Sequence, residues 1–370
     1  MSRSLTPSKE PAISASDSQH DTPDPRGRAL ARLFGCAVVV LGHALMAYTP
    51  NVPTGILWPV REPSEIAALD HIITYGRFAI VGLFFFLAGE AARFGVAFLG
   101  SASLLRTARA ALLPGLLVGC FIVMPCVYVA WAADAVDRDY IKWEQFWRFR
   151  LSIEDKALLI GPGSFWFIEH LLLITLAAYV CVRFIAPLRA SVHRLVLPAC
   201  FATVGVVAWL DPAVLGTFRN DFIPHPAYLA MNACTFAAGW FARGPVRLWP
   251  LWILLSFALA FVTPITHTAT PWAVPFAAMA SLAGVLGWIG ACERFAQHLP
   301  DLSRLSRLTP GIYVVHLPIV CFGQYVLHPV DASPLVKAGQ VTISALVVSA
   351  GVAAGVRALL RRRRPVRAKN

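Results

Sequence analysis

The residues best suited to chemistry in this chain stand in apolar surroundings, beginning with Arg32 and His43 in the run Arg-Leu-Phe-Gly-Cys-Ala-Val-Val-Val-Leu-Gly-His. On a helix, eleven positions at about 100° each return to within roughly 20° of the starting face, about 16 Å further along the axis. One lumen can therefore hold both. A guanidinium suits phosphate by its charge and its fork of donors. A neutral imidazole, the form an apolar interior favours, can accept a proton. The competing reading is a charged flank beside a packed histidine. An ionisable group in a membrane span costs about 2.5–3.5 kcal/mol at the helix centre on insertion scales, which favours function for His43.

Three further places qualify. Thr74-Tyr75-Gly76-Arg77-Phe78 opens a second apolar stretch that continues as Gly82-Leu83-Phe84-Phe85-Phe86-Leu87-Ala88-Gly89-Glu90. Arg77 either snorkels to the interface or points into a bundle, and Glu90 is expected to partner Arg93 or Arg109. Next, Gly161-Pro162-Gly163-Ser164 delivers Phe165, Trp166 and Phe167, then Glu169 and His170. This acid and base are neighbours about 100° apart, so only one of them need face a lumen. An interfacial aromatic belt is the alternative there. Finally, Tyr313 and His316 are three apart and share a helix face, with Pro318 freeing a backbone carbonyl beside them.

The elements that must position these groups are membrane helices. With 57% hydrophobic and 14% charged residues among 370, and a mean hydropathy of +0.63, the chain is far from the balance of a soluble domain. Runs long enough to cross a bilayer are expected near 30–48, 72–95, 110–133, 165–186, 193–210, 228–243, 247–264, 271–291, 310–328 and 335–358. The composition thus predicts an all-α, polytopic protein of about ten transmembrane helices around a central cavity.

The net charge of +12 is spread between apolar runs and not gathered in one block, which argues against nucleic acid as a partner. With the N-terminus inside, 23 of the 32 basic residues fall on one side, as cytoplasmic connections require. Both termini are then cytoplasmic. The eight cysteines show no CxxC spacing and no grouping with histidine, so neither a disulfide framework nor a metal site is supported. Residues 1–28 read as a disordered tail, 29–358 as the membrane domain and 359–370 as a basic tail. The one sizeable outer loop, 134–164, interleaves Trp143, Phe146, Trp147 and Phe149 with Lys142, Arg148 and Arg150, as an interfacial amphipathic segment does. No loop is long enough to build a soluble catalytic core, so chemistry must occur within the bundle.

Taken in this order, the segments resemble the membrane-bound acyltransferase-3 family, which includes bacterial polysaccharide O-acetyltransferases and glucan succinyltransferases. Arg32 and His43 match its Arg-x10-His element, and Phe84 to Gly89 its phenylalanine-rich segment, with Ala88 where serine is usual. Arg77 matches an arginine of the glucan-modifying branch. Arg106-Thr-Ala-Arg109 followed by Pro114 looks like a basic cytoplasmic R-x-x-R loop. Trp166-Phe167 and Gly311-Ile312-Tyr313 with His316 complete the likeness, which spans about 28–358. The resemblance implies transfer of an acetyl or succinyl group from acyl-CoA to a hydroxyl of a glycan or lipid-linked acceptor, in the bacterial inner membrane and with no bound cofactor. It implies Arg32, Arg106 and Arg109 on the nucleotide phosphates, His43 as general base and Arg77 on the oxyanion, with Glu169 and His316 as further catalytic groups and Trp166 and Tyr313 in the cavity.

Ten helices with intramembrane charges and Pro/Gly breaks also describe a secondary transporter of a polar or anionic small molecule. Carriers usually show two related halves, and the Arg/His signal of the first helix has no counterpart near the sixth. A non-catalytic scaffold has no need of polar groups at His43, Arg77 and His316.

Overall fold

The computed structural model describes residues 25–50, 58, 60–150, 162–184, 193–211, 223–242, 246–262 and 273–362. Most of the two expected tails lies outside these residues, and so does the side chain of Arg77. Among the described residues the secondary structure is helical throughout. Helices are what lipid demands, because every backbone N–H and C=O must be satisfied within its own segment. In chain order they are α1 (Pro25–Leu45), α2 (Ala68–Leu99), α3 (Ala102–Asp137), α4 (Trp143–Trp147), α5 (Trp166–Phe184), α6 (His193–Leu210), α7 (Pro226–Phe241), α8 (Trp249–Val262), α9 (Ala273–Ala296), α10 (Ser303–Ser306), α11 (Thr309–Leu327) and α12 (Pro334–Arg362).

Seven of these, α1, α2, α3, α5, α9, α11 and α12, are long and apolar enough to cross a membrane. Helices α6, α7 and α8 coincide with the other three expected spans, but their 18, 16 and 14 residues are short of the roughly 20 that a full crossing takes. The chain is thus a multi-pass membrane protein, with seven helices of spanning length among the described residues.

Two boundaries differ from expectation. Helix α1 starts at Pro25, inside the stretch read as tail, and Arg28 is already buried. Arg106 and Arg109 stand on the first turns of α3 and not in a loop. Pro114 and Pro125 lie within that long helix, which accommodates them with two i→i+5 turns over Ala108–Leu112 and Gly119–Val123.

Side-chain contacts fix the helix directions. Glu90 and Glu293 both meet Arg28, so α2 and α9 end where α1 begins. Gln324 meets the end of α1 and Tyr325 the end of α3, so α11 and α3 run parallel to α1. Lys337 meets Glu62 beyond α1, so α12 starts at that same far end and returns, with Arg357 bonding the Arg307 carbonyl. The end holding Arg28 is called the basic end below.

The phenylalanine-rich segment has a packing role. A Cβ on Gly89 would overlap the Phe236 carbonyl of α7, and one on Gly239 would overlap the Phe86 carbonyl of α2. Glycine at both positions lets two helix backbones touch, the usual way membrane helices gain close packing without a hydrophobic drive.

Candidate active site

His43 sits in the last turn of α1, where carbonyls lack helical partners. Gln324 of α11 supplies them: its Nε2 donates to the carbonyls of His43 and Ala44 at 3.1 and 2.9 Å. Trp58 Nε1 in turn donates to Gln324 Oε1 at 3.1 Å, and the indole lies 5.5 Å from the His43 ring. The backbone around His43 is thereby held from outside its own helix.

The His43 ring meets His316 directly. His43 Nδ1 lies 2.8 Å from His316 Nε2, and the two rings are nearly parallel, 5° apart. His316 Nδ1 lies 2.7 Å from the Tyr313 carbonyl and 3.2 Å from that of Ile312. Carbonyl oxygens only accept, so His316 Nδ1 carries a proton. In the neutral pair, His316 Nε2 is then a lone pair and His43 Nδ1–H donates to it. The opposite assignment would set two lone pairs face to face. His43 Nε2 is left as a free lone pair, without a hydrogen bond among the described residues.

His43 lines a cavity of about 140 Å³ between α1, α2 and the starts of α5 and α11. Trp166 and Tyr313 line it too, along with Ser164, whose carbonyl accepts from the Tyr313 hydroxyl at 3.2 Å. On α2 the wall includes Gly76, the neighbour of Arg77.

The cavity is not the single lumen expected to reach from His43 to Arg32. Its wall on α1 stops at Val38, six residues or about 9 Å short of Arg32. Between them Gly35 packs against the Phe84 ring, and Phe84, Phe167 and Tyr313 form a layer with centroids 5.3–6.4 Å apart. Arg32 instead neighbours a buried ion cluster. Arg28 Nε and Nη2 bond the two oxygens of Glu90 at 2.6 and 2.8 Å, and Nη1 pairs with Glu293 at 3.0 Å. The other Glu293 oxygen takes the Val246 N–H at 2.9 Å. Glu90 is therefore engaged by Arg28, a residue that spacing within its own segment did not suggest. Arg106 and Arg109 are exposed on α3 and line no part of the His43 cavity.

The neighbours Glu169 and His170 diverge, as 100° of separation requires. His170 Nδ1 accepts from Asn232 of α7 at 2.8 Å, and its ring stands edge-on to Trp166. Asn232 lines a small second cavity that shares Trp166 and Val81 with the first. Glu169 is buried near Cys120 of α3 and lines neither cavity. The structure thus gathers His43, His316, Trp166 and Tyr313, and leaves Arg32, Arg106, Arg109 and Glu169 apart from them. Sequence reasoning missed Trp58, Gln324 and Asn232. Gln324 and Asn232 carried a signal all the same: each is a lone amide in an apolar span, where unsatisfied polar groups are costly.

A family model described as an acyltransferase domain matches residues 29–354. No curated protein and no solved structure matches the chain.

Proposed function

The chain belongs to the acyltransferase-3 family and is an acyltransferase, and from that premise we propose that it moves an acetyl or succinyl group from acyl-CoA to a hydroxyl of a glycan or lipid-linked acceptor, with His43 as the base. The secondary-transporter alternative falls away with that premise. In this reading ten helices span a bacterial inner membrane, both termini and the basic end are cytoplasmic, and no cofactor stays bound.

The observation that carries the reading is the free Nε2 of His43 at a cavity wall, with Nδ1 committed to His316. As the acceptor oxygen attacks the thioester carbonyl, its proton passes to His43 Nε2 and a C–O bond forms. The positive ring is stabilised through Nδ1–H by His316, whose own Nδ1–H rests on two carbonyls. Collapse breaks the C–S bond, and the same proton returns to the departing sulfur. A base placed in this way contributes about 10²- to 10⁴-fold. Arg77 is assigned to the developing oxyanion, and Arg106, Arg109 and Arg32 to the nucleotide phosphates. The pantetheine arm reaches His43 when the layer of Phe84, Phe167 and Tyr313 parts.

Membranes holding the protein, incubated with labelled acetyl-CoA and a glycan acceptor, should transfer label. His43→Ala should lower that transfer about 10²- to 10⁴-fold at equal amounts of inserted protein. Undiminished transfer would remove His43 from the mechanism.

A further inference from the structure

We propose that the acceptor is an alcohol carried on a hydrocarbon anchor, and that it enters the His43 cavity sideways from the bilayer through a window between α1 and α2. The proposal rests on the acyl-transfer reading and narrows its acceptor to one chemical class.

Described residues stand across two approaches to the cavity. Toward the basic end, the Phe84, Phe167 and Tyr313 layer and the Gly35 contact fill the bundle. Toward the opposite end, the returning chain is folded over α1: the Glu62 N–H bonds the Ala47 carbonyl at 3.0 Å and the Ile66 N–H bonds that of Tyr48 at 2.9 Å. Met46, Ala47, Tyr48, Trp58 and Val60 are all buried in that cover. Lys337 pins it further by pairing with Glu62 at 3.1 Å.

The side between α1 and α2 is different. A Cβ built on Gly42 or on Gly76 would meet nothing within 4 Å, although both residues line the cavity. Leu41 and Ile72, at the rim, are 38% and 56% exposed. Leu41 lies within the stretch of α1 that is apolar enough to span, where an outward apolar side chain meets lipid tails, so this gap opens toward the bilayer.

Wall chemistry selects the occupant. The α1 and α2 walls are aliphatic or glycine apart from His43, and the remaining polar atoms come from Ser164, Trp166 and Tyr313 on the far side. Among the described wall residues none carries a carboxylate, an ammonium or a guanidinium group, the charges that a charged headgroup would pair with. An apolar cavity of about 150 Å³ holds a molecule the size of benzene. At about 140 Å³ this one admits the hydroxyl-bearing end of an acceptor and leaves the anchor in the bilayer.

The test uses the full chain reconstituted in phosphatidylcholine vesicles with labelled acetyl-CoA and two acceptors bearing the same sugar hydroxyls, dodecyl glucoside and methyl glucoside. Gly76→Leu and Gly42→Leu, whose Cβ atoms would meet nothing within 4 Å, should each lower the ratio of dodecyl to methyl glucoside acetylation about tenfold. An unchanged ratio in both variants overturns the window. So does a change confined to the preference for acyl-chain length of the donor, which would make the occupant a donor chain.

A second arm needs no turnover. Dodecyl glucoside carrying a diazirine beside the sugar should crosslink to Val81 or Tyr313 inside the cavity, and Gly76→Leu should abolish those adducts. Adducts only on outward faces such as that of α12 overturn the proposal. Cavity adducts without acetyl transfer would refute the acyl-transfer reading and leave the window standing. Transfer without cavity adducts would do the reverse.

Discussion

Two buried polar clusters share helix α1, about 22 Å apart along its axis, and they are built on opposite principles. At the basic end, every side-chain nitrogen of Arg28 faces a carboxylate, with Glu90 hydrogen-bonded to two and Glu293 paired with the third at 3.0 Å. At the other end, His43 commits one ring nitrogen to His316 and keeps the second free beside a cavity. Both place ionisable groups in an apolar bundle, so the cost of burial alone does not separate them. What separates them is an unspent lone pair next to empty space. The first cluster ties α1, α2 and α9 together; the second is poised to take a proton.

That contrast predicts losses of different kind and size. The largest belongs to the ion cluster: Glu90→Ala leaves Arg28 with a charge it cannot share fully. It should cost about 3–5 kcal/mol of stability, read as a fall in thermal unfolding temperature of the purified protein in detergent. Arg28→Met combined with Glu90→Leu and Glu293→Gln, which removes all three charges and keeps an oxygen for the Val246 N–H, should recover most of that loss. If Glu90→Ala unfolds at the temperature of the parent, the cluster is not architectural.

His316→Ala should be milder in stability and visible in catalysis. It removes the acceptor that sets the tautomer of His43, so kcat should fall about 10- to 100-fold, as loss of an orienting partner of an imidazole commonly does, with little change in KM. A rise in KM alone would make His316 a binding residue.

Glu144→Ala sets the lower bound of the series. It breaks an exposed pair with Arg148 at 3.0 Å on α4, both side chains being more than half exposed, and should shift stability by no more than about 0.5 kcal/mol. A larger shift in the same unfolding assay would show that the aromatic face of α4 is held in place by that pair.

Much of the fold was legible from hydropathy, because lipid forces helices wherever apolar runs of about 20 residues occur. The outer pieces were less so. Arg106 and Arg109 look like loop residues by charge, yet they extend α3 as helix beyond its apolar run. Glu90 was assigned a partner by proximity in sequence, and found one 62 positions away. For the site, His43, His316, Trp166 and Tyr313 were legible one by one, each as a polar or aromatic group in a costly place. That they converge was not legible. In the sequence Gly89 only closes the phenylalanine-rich segment; the structure shows that it lets α2 touch α7.

The sequence by itself determined that this protein lives in a membrane, which segments become its long helices, and which side chains would be expensive to bury. Periodicity gives each side chain an angle about its own helix axis. It says nothing of how far one helix slides or rotates against another. Only the tertiary structure brought Nδ1 of His43 to Nε2 of His316, 273 residues later, and so decided which nitrogen keeps a lone pair. The same packing sealed the cavity from Arg32 and left it open between α1 and α2, because those relations depend on the relative height and azimuth of whole helices.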